Sequence, residues 1–253
     1  MLATDRPPRP VGPVLEAHGI EKRFGGVTAL RGVDLALNRA EIVALVGDNG
    51  AGKSTLVKIL SGVLGPDGGE IRLNARRVTI GSPQRARQLG ISTVFQDLAL
   101  VDQRDVAQNL FLGREPKRLG LFVDRGRMLR EARDALRALQ VGLPSVRAKV
   151  GGLSGGQRQA IAVARAWHQG GTITLLDEPT AALGVREAGK VLDLLTTLRG
   201  QGHALLLISH NMESVFDLAD RIVVLRHGTK IADLRTDETS KHDVVSLLTS
   251  GAV

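Results

Sequence analysis

Apolar and polar positions along the chain fall into two textures. Residues 41–46, 173–176, 204–208 and 222–225 are nearly continuous apolar runs of strand length, the habit of strands buried on both faces of a parallel sheet. Between them lie segments with apolar residues at helical spacing. In 54–60, Leu56, Ile59 and Leu60 share one side, and 156–167, 186–199 and 211–219 also read as helices. A strand, a glycine-rich turn and a helix around residue 50 open a βαβ unit, and the alternation that follows predicts an α/β fold with a doubly wound parallel sheet. Shorter strands are expected at 14–17, 33–37 and 92–95, the first two bracketing a loop at Gly25-Gly26. The texture changes between 97 and 153. There Leu129, Ala132, Leu136 and Leu139 recur at helical spacing among Arg and Asp, and a mostly helical insertion is expected. Residues 1–13 carry four Pro and two Arg without an apolar stretch, and read as a flexible arm rather than a signal peptide. No run approaches the roughly 18 apolar residues of a membrane span, and no internal repeat is found.

The 253 residues are 43% hydrophobic and 24% charged, ordinary proportions for a globular protein with a sizeable core. Five Phe, one Trp and no Tyr leave that core to Leu, Val, Ile and Ala. The absence of cysteine excludes disulfides and thiolate metal sites. A net charge of +8 invites an anionic partner such as nucleotide, nucleic acid or lipid headgroups. The dispersal of that charge along the chain favours a compositional bias toward arginine instead.

Candidate chemistry concentrates at three places. Gly47-Asp48-Asn49-Gly50-Ala51-Gly52-Lys53-Ser54 fits the phosphate-binding pattern G-x-x-x-x-G-K-[ST] between a buried strand and a helix. Its glycines let successive N–H groups converge on phosphate oxygens, the helix points its positive end at them, Lys53 supplies a point charge and Ser54 a hydroxyl for Mg2+. The apolar run at 173–176 ends in Asp177 and Glu178. Alone, the two would read as a solvent-facing strand end. Downstream of a phosphate loop, Asp177 is placed to hold Mg2+ through water and Glu178 to act as general base on a water in line with the γ-phosphate. At Leu153-Ser154-Gly155-Gly156-Gln157, a Ser and two Gly precede a helix, forming an N-cap whose hydroxyl and free N–H groups make a second anion site.

With these three motifs in this order, residues 14–251 resemble the ABC ATPase family, whose hallmark is LSGGQ between Walker A and Walker B. The resemblance implies a P-loop NTPase of RecA-like type: a parallel-sheet core, an N-terminal antiparallel β subdomain, and a helical subdomain inserted at 97–153. It implies ATP and Mg2+ as ligands, with Gly47 to Ser54 and Thr55 on the phosphates. It implies a head-to-tail dimer in which Ser154, Gly155, Gly156 and Gln157 of one copy close on ATP held by the other. Gln96 matches the Q-loop glutamine that senses the γ-phosphate and Mg2+, and His210 the switch histidine that orients the attacking water. Phe24 matches the aromatic that stacks on adenine, although a phenylalanine there suits a core equally well. One departure stands out: Gly184 occupies the place where the family's D-loop usually has Asp, which bears on coupling between the two ATP sites. The wording of the phosphate loop, and of Glu178-Pro179-Thr180-Ala181-Ala182-Leu183-Gly184-Val185, is similar to importers of ribose, xylose and fructose. Such ATPases sit at the cytoplasmic face of the membrane on permease subunits, indirectly served by an extracytoplasmic solute-binding protein. Two alternatives are a soluble ABC ATPase acting on nucleic acid or ribosomes, and a low-turnover dimerisation module gated by nucleotide. Nucleic acid is not expected as a partner, since such proteins usually carry two cassettes or a long coiled-coil insertion.

Overall fold

A computed structural model describes residues 12–250. The arm expected at 1–13 therefore lies, apart from its last two residues, outside the described residues. In chain order the elements are β1 (Leu15–Phe24), β2 (Val27–Leu37), β3 (Ile42–Val46), α1 (Lys53–Leu60), β4 (Gly68–Leu73), β5 (Arg76–Val78), α2 (Pro83–Gln88) and β6 (Ile91–Val94). Next come α3 (Val106–Leu110), a small ribbon of β7 (Lys117–Arg118) and β8 (Phe122–Val123), and α4 (Arg125–Ala138). The chain continues through α5 (Gly155–His168), β9 (Ile173–Asp177), α6 (Val185–Gly200), β10 (Ala204–Ile208), α7 (Met212–Leu218), β11 (Arg221–Arg226), β12 (Thr229–Arg235) and α8 (Lys241–Ser250).

The central sheet has six strands in the order β12-β11-β3-β10-β9-β6. Five are parallel, and β12 folds back antiparallel on β11 at one edge. Because side chains alternate across a strand, each apolar run feeds two cores. Ile42, Ala44 and Val46 of β3, with Leu205 and Leu207 of β10, pack on one face with α3 to α8. Val43 and Leu45, with Leu206 and Ile208, pack on the other face with α1. Each such Val, Leu or Ile side chain, fully removed from water, stabilises the fold by roughly 1.5–3 kcal/mol.

The second face differs from a purely doubly wound arrangement, because a second sheet helps to cover it. This four-stranded antiparallel sheet, β2-β1-β4-β5, contributes Leu15, Ala17, Ile20, Leu30, Val33 and Leu35 to that core. The short strands expected at 14–17 and 33–37 are the ends of a long hairpin closed at Gly25-Gly26, with Phe24 opposite Val27. Polar positions such as Glu21, Lys22 and Arg31 stay in the strands because their backbone pairs across the hairpin.

Between 97 and 153 the α-helices are α3 and α4, separated by the β7–β8 ribbon. Helix α4 starts where the Asp124 carboxylate accepts from Arg127 N–H at 2.9 Å. It buries Met128, Ala132, Ala135 and Leu136 at i, i+4, i+7 and i+8. No helix of the described residues is long and apolar enough to cross a membrane.

Candidate functional site

Strand β3 ends at Val46 in the middle of the parallel sheet, and the chain then turns into α1 through 47–52. Two close approaches require glycine. A Cβ on Gly47 would run into the carbonyl oxygen of Leu225, and one on Gly52 would lie 2.7 Å from that of Ala29, where φ is +105°. The turn is thus wedged between β11 and β2. Asp48, Asn49 and Gly50 stay exposed at its crest, and Ser54 is exposed with Thr55 half-buried at the start of α1.

Lys53 is the buried charge of this turn, 6% exposed. Its ammonium donates to the carbonyl oxygens of Gly47 at 2.6 Å and Asp48 at 2.9 Å. Burial pushes the Lys53 ammonium down from its ordinary value, while Glu178, Asp48 and Asp177 pull it back up. Burial, then the adjacent Glu178, raises the Asp177 carboxyl, against the pull of Lys53, Lys58 and His210. The two groups are therefore held at an electrostatic cost that a polyanion and a cation arriving together would relieve.

The parallel register brings the remaining candidates to the same end of the sheet, at the carboxyl ends of its strands. Asp177 pairs with Ile208 across β9 and β10. Glu178 follows in a left-handed conformation, φ +50°, uncommon for a side chain larger than glycine. Its N–H donates to the Ile208 carbonyl at 3.0 Å. That turn sends the Glu178 carboxylate to 3.0 Å from Nε2 of His210, although the two residues are far apart in the chain. On the other side, Val94 pairs with Leu176 across β6 and β9, and Gln96 follows, exposed.

Two residues that the sequence did not single out tether the loop after Gln96. Arg165 of α5 donates to the carbonyl oxygens of Leu98 at 2.6 Å and Ala99 at 2.9 Å. Burial lowers the pKa of its guanidinium. Arg158 donates to Asp102 at 2.9 Å. The two arginines stand seven residues apart, on one face of one helix, and that spacing was the available signal. Beside this tether lies a groove of about 390 Å³, lined by Ile91, Phe95, Ala99, Leu112, Arg114 and Arg165 among others.

Ser154 caps α5, 14 residues long, in a reciprocal box: its hydroxyl accepts from Gln157 N–H at 3.4 Å, and the Gln157 side-chain Oε1 accepts from Ser154 N–H at 3.1 Å. Gly155 is exposed, while Gly156 is buried where a Cβ would lie 2.8 Å from Cβ of Glu187. The start of α5 is thereby packed on the start of α6. Ser154, Gly156 and Gln157 line a depression of about 450 Å³ together with residues of α6 and the segment that follows α4, and no residue of 47–54 reaches it. The structure brings Lys53, Asp177, Glu178 and His210 together and leaves this half-site on a surface of its own.

Phe24 is 47% exposed at the end of β1, so it is not a core residue. The Lys22 ammonium lies 5.7 Å from its ring centroid and 2.7 Å from Asp67. Gly184 is the N-cap of α6 in an extended conformation, with nothing within 4 Å of an added Cβ.

Residues 30–181 match the family model described as ABC transporter. The chain is 45% identical over 240 residues to the xylose/arabinose import ATP-binding protein of Sulfolobus acidocaldarius, covering 95% of each. It is 44% identical over 244 residues to the fructose import ATP-binding protein of Rhizobium meliloti, covering 94% of each. A ribose import ATP-binding protein of Rubrobacter xylanophilus is 45% identical over 225 residues, which are 89% of this chain and 45% of that longer protein. Among solved structures, a nucleotide-free ATP-binding cassette from an ABC transporter superposes with a TM-score of 0.81 at 26% identity, over 94% of this chain and 95% of that one.

Proposed function

This chain belongs to the ABC transporter family of ATP-binding, ATP-hydrolysing cassettes, and from that premise we propose that it energises import of a monosaccharide through a partner permease. The observation that carries the mechanism is the meeting of the buried Lys53 with the Glu178–His210 pair at one end of the sheet. Relatives named for import of xylose, arabinose and fructose match it over nearly the whole of both chains, which supports a sugar as the cargo.

In this mechanism the β and γ phosphates of ATP lie in the turn 47–54, under its N–H groups and the N-terminus of α1. Lys53 trades the carbonyl oxygens of Gly47 and Asp48 for phosphate oxygens, and its charge finds a stronger partner. Phe24 offers its exposed face to the adenine ring. The Ser54 hydroxyl, Asp177 carboxylate and Gln96 side-chain carbonyl are all-oxygen donors of the hard type that suits Mg2+. Bound there, Mg2+ would neutralise phosphate charge. Glu178 takes a proton from water as the water oxygen bonds to the γ-phosphorus, and the bond from that phosphorus to the bridging oxygen breaks, releasing ADP and phosphate. His210, 3.0 Å from Glu178, orients the carboxylate and the water.

No residue of the chain's own phosphate loop lines the depression at Ser154 to Gln157, which supports a head-to-tail dimer as the working unit. The groove beside Arg165 is the natural seat for a permease segment, since Arg165 couples its wall to the loop that carries Gln96. The cassette would then work at the cytoplasmic face of the membrane, and the sugar would meet only the permease and its solute-binding protein.

The test mixes two inactive chains. Ser154→Arg keeps the phosphate loop and blocks its half-site; Lys53→Ala does the reverse. Together they can assemble one complete composite site. Hydrolysis from the mixture, with almost none from either alone, is the expected result. A mixture that stays inactive while both chains still dimerise would overturn the shared site.

A further inference from the structure

The β7–β8 ribbon presents an unusual surface. Of the large apolar side chains exposed among the described residues, four fall within 119–123: Leu119 is 86% exposed, Leu121 82%, Phe122 71% and Val123 51%. Isolated exposed apolar residues are ordinary, but a contiguous cluster marks a contact surface. Its backbone reinforces the point. Leu119 and Gly120 both have positive φ, +53° and +74°, and Leu121 N–H donates to the Arg118 carbonyl, so 118–121 is a tight turn of the type that favours Asn-Gly. A leucine in the first left-handed position is sterically costly and gains no burial within the protein.

The base of the ribbon is basic. Lys117 and Arg118 pair across it with Val123 and Phe122, and Arg125 and Arg130 follow on the exposed side of α4. No ion pair among the described residues engages any of these four cations. An apolar tip carrying an aromatic ring above a collar of unpaired Lys and Arg is complementary to an anionic bilayer: the tip enters the headgroup and acyl boundary and the collar meets lipid phosphate. We propose that the β7–β8 ribbon inserts its tip into the anionic membrane surface, giving the cassette a lipid contact of its own besides the permease.

Location supports this. The ribbon begins three residues after Arg114, which lines the groove assigned above to the permease, so a cassette docked there holds the ribbon near the bilayer. That placement leans on the proposed docking, but the experiment does not, because it contains no permease.

The purified full chain is sedimented with vesicles of mixed phosphatidylglycerol and phosphatidylcholine, and with pure phosphatidylcholine, at low and moderate salt. Binding to anionic vesicles that weakens with salt is expected. Leu119→Ser with Leu121→Ser and Phe122→Ser should weaken it about tenfold or more, and Lys117→Gln with Arg118→Gln about five-fold per charge while flattening the salt dependence. All these positions are exposed, so unchanged melting temperatures should accompany the losses. In Phe122→Trp, emission should shift to the blue with anionic vesicles only. Equal binding to neutral and anionic vesicles, binding that survives the tip substitutions, or no binding to either kind of vesicle would overturn the lipid contact.

Discussion

The phosphate-loop edge of the sheet and the LSGGQ half-site are both built on glycines at helix starts, yet they are held differently. The loop is locked from outside its own sequence, Gly47 against Leu225 and Gly52 against Ala29, while Lys53 is buried on two carbonyls of the loop itself. The half-site satisfies its own hydrogen bonds within four residues, Ser154 and Gln157 capping each other with Gly155 exposed between them, and only Gly156 is wedged against α6. One is a preorganised cradle, for which a wrong side chain means a displaced strand. The other is a self-capped helix end whose groups would have to be released to meet a phosphate. In the proposed mechanism, chemistry falls to the first and docking to the second.

Substitutions sharpen that division, and the largest effect belongs to the edge. Glu178→Gln keeps the size and position of the side chain but removes the base, so ATP turnover should fall roughly 10²-fold or more while nucleotide affinity measured by calorimetry is kept. Turnover at the unmodified rate would remove Glu178 from the chemistry.

The next comparison is between two glycines. Gly52→Ala forces a side chain onto φ +105° and against the Ala29 carbonyl, and should cost about 1–3 kcal/mol of stability and most nucleotide affinity. Gly155→Ala meets the flexible ends of Leu183 at 3.0 Å and Glu187 at 4.0 Å and takes the first helical position, where Ala is favoured over Gly by less than the roughly 1 kcal/mol of a helix interior. Its melting temperature should hold or rise. Equal losses in both variants would erase the distinction between an externally locked loop and a self-capped helix.

The smallest effect is electrostatic. The Asp177 carboxyl is raised by burial and by Glu178, so its charge costs stability when the site is empty. That cost is present in full above the folded pKa and disappears as pH falls below the unfolded one. Asp177→Asn should therefore raise the melting temperature of nucleotide-free protein at neutral pH, by about 2–4 °C per kcal/mol relieved, with the gain fading in acid. The same variant should lose Mg2+-dependent nucleotide binding. A gain that grew toward acid pH would mean the carboxylate is stabilised by its neighbours rather than strained.

Periodicity and motif spacing were sufficient for what is locally encoded. Apart from Thr174 and charged ends, the strands β3, β9, β10 and β11 are apolar because both faces are covered, and the runs at 41–46, 173–176, 204–208 and 222–225 announce that from composition alone. The N-cap at Ser154 is equally local. The length of β1 and β2 was not legible, because their polar middle is strand only through cross-hairpin pairing. Nor were the tethers from Arg165 and Arg158, since an arginine on an amphipathic helix ordinarily reads as a solvated face.

The sequence by itself determined which residues are available for chemistry: a glycine turn before a helix, a carboxylate pair after a buried strand, a serine cap, a histidine after another strand. Each depends on the order of neighbours, and local sterics and hydrogen bonding fix the outcome. Only the tertiary structure decided which of them meet. The parallel register that sets Asp177 beside Ile208, and the left-handed turn at Glu178, bring a carboxylate to 3.0 Å from His210. It also left an apolar tip at 119–123 uncovered. Both are consequences of long-range packing, in which contacts between distant segments outweigh the preferences of any one of them.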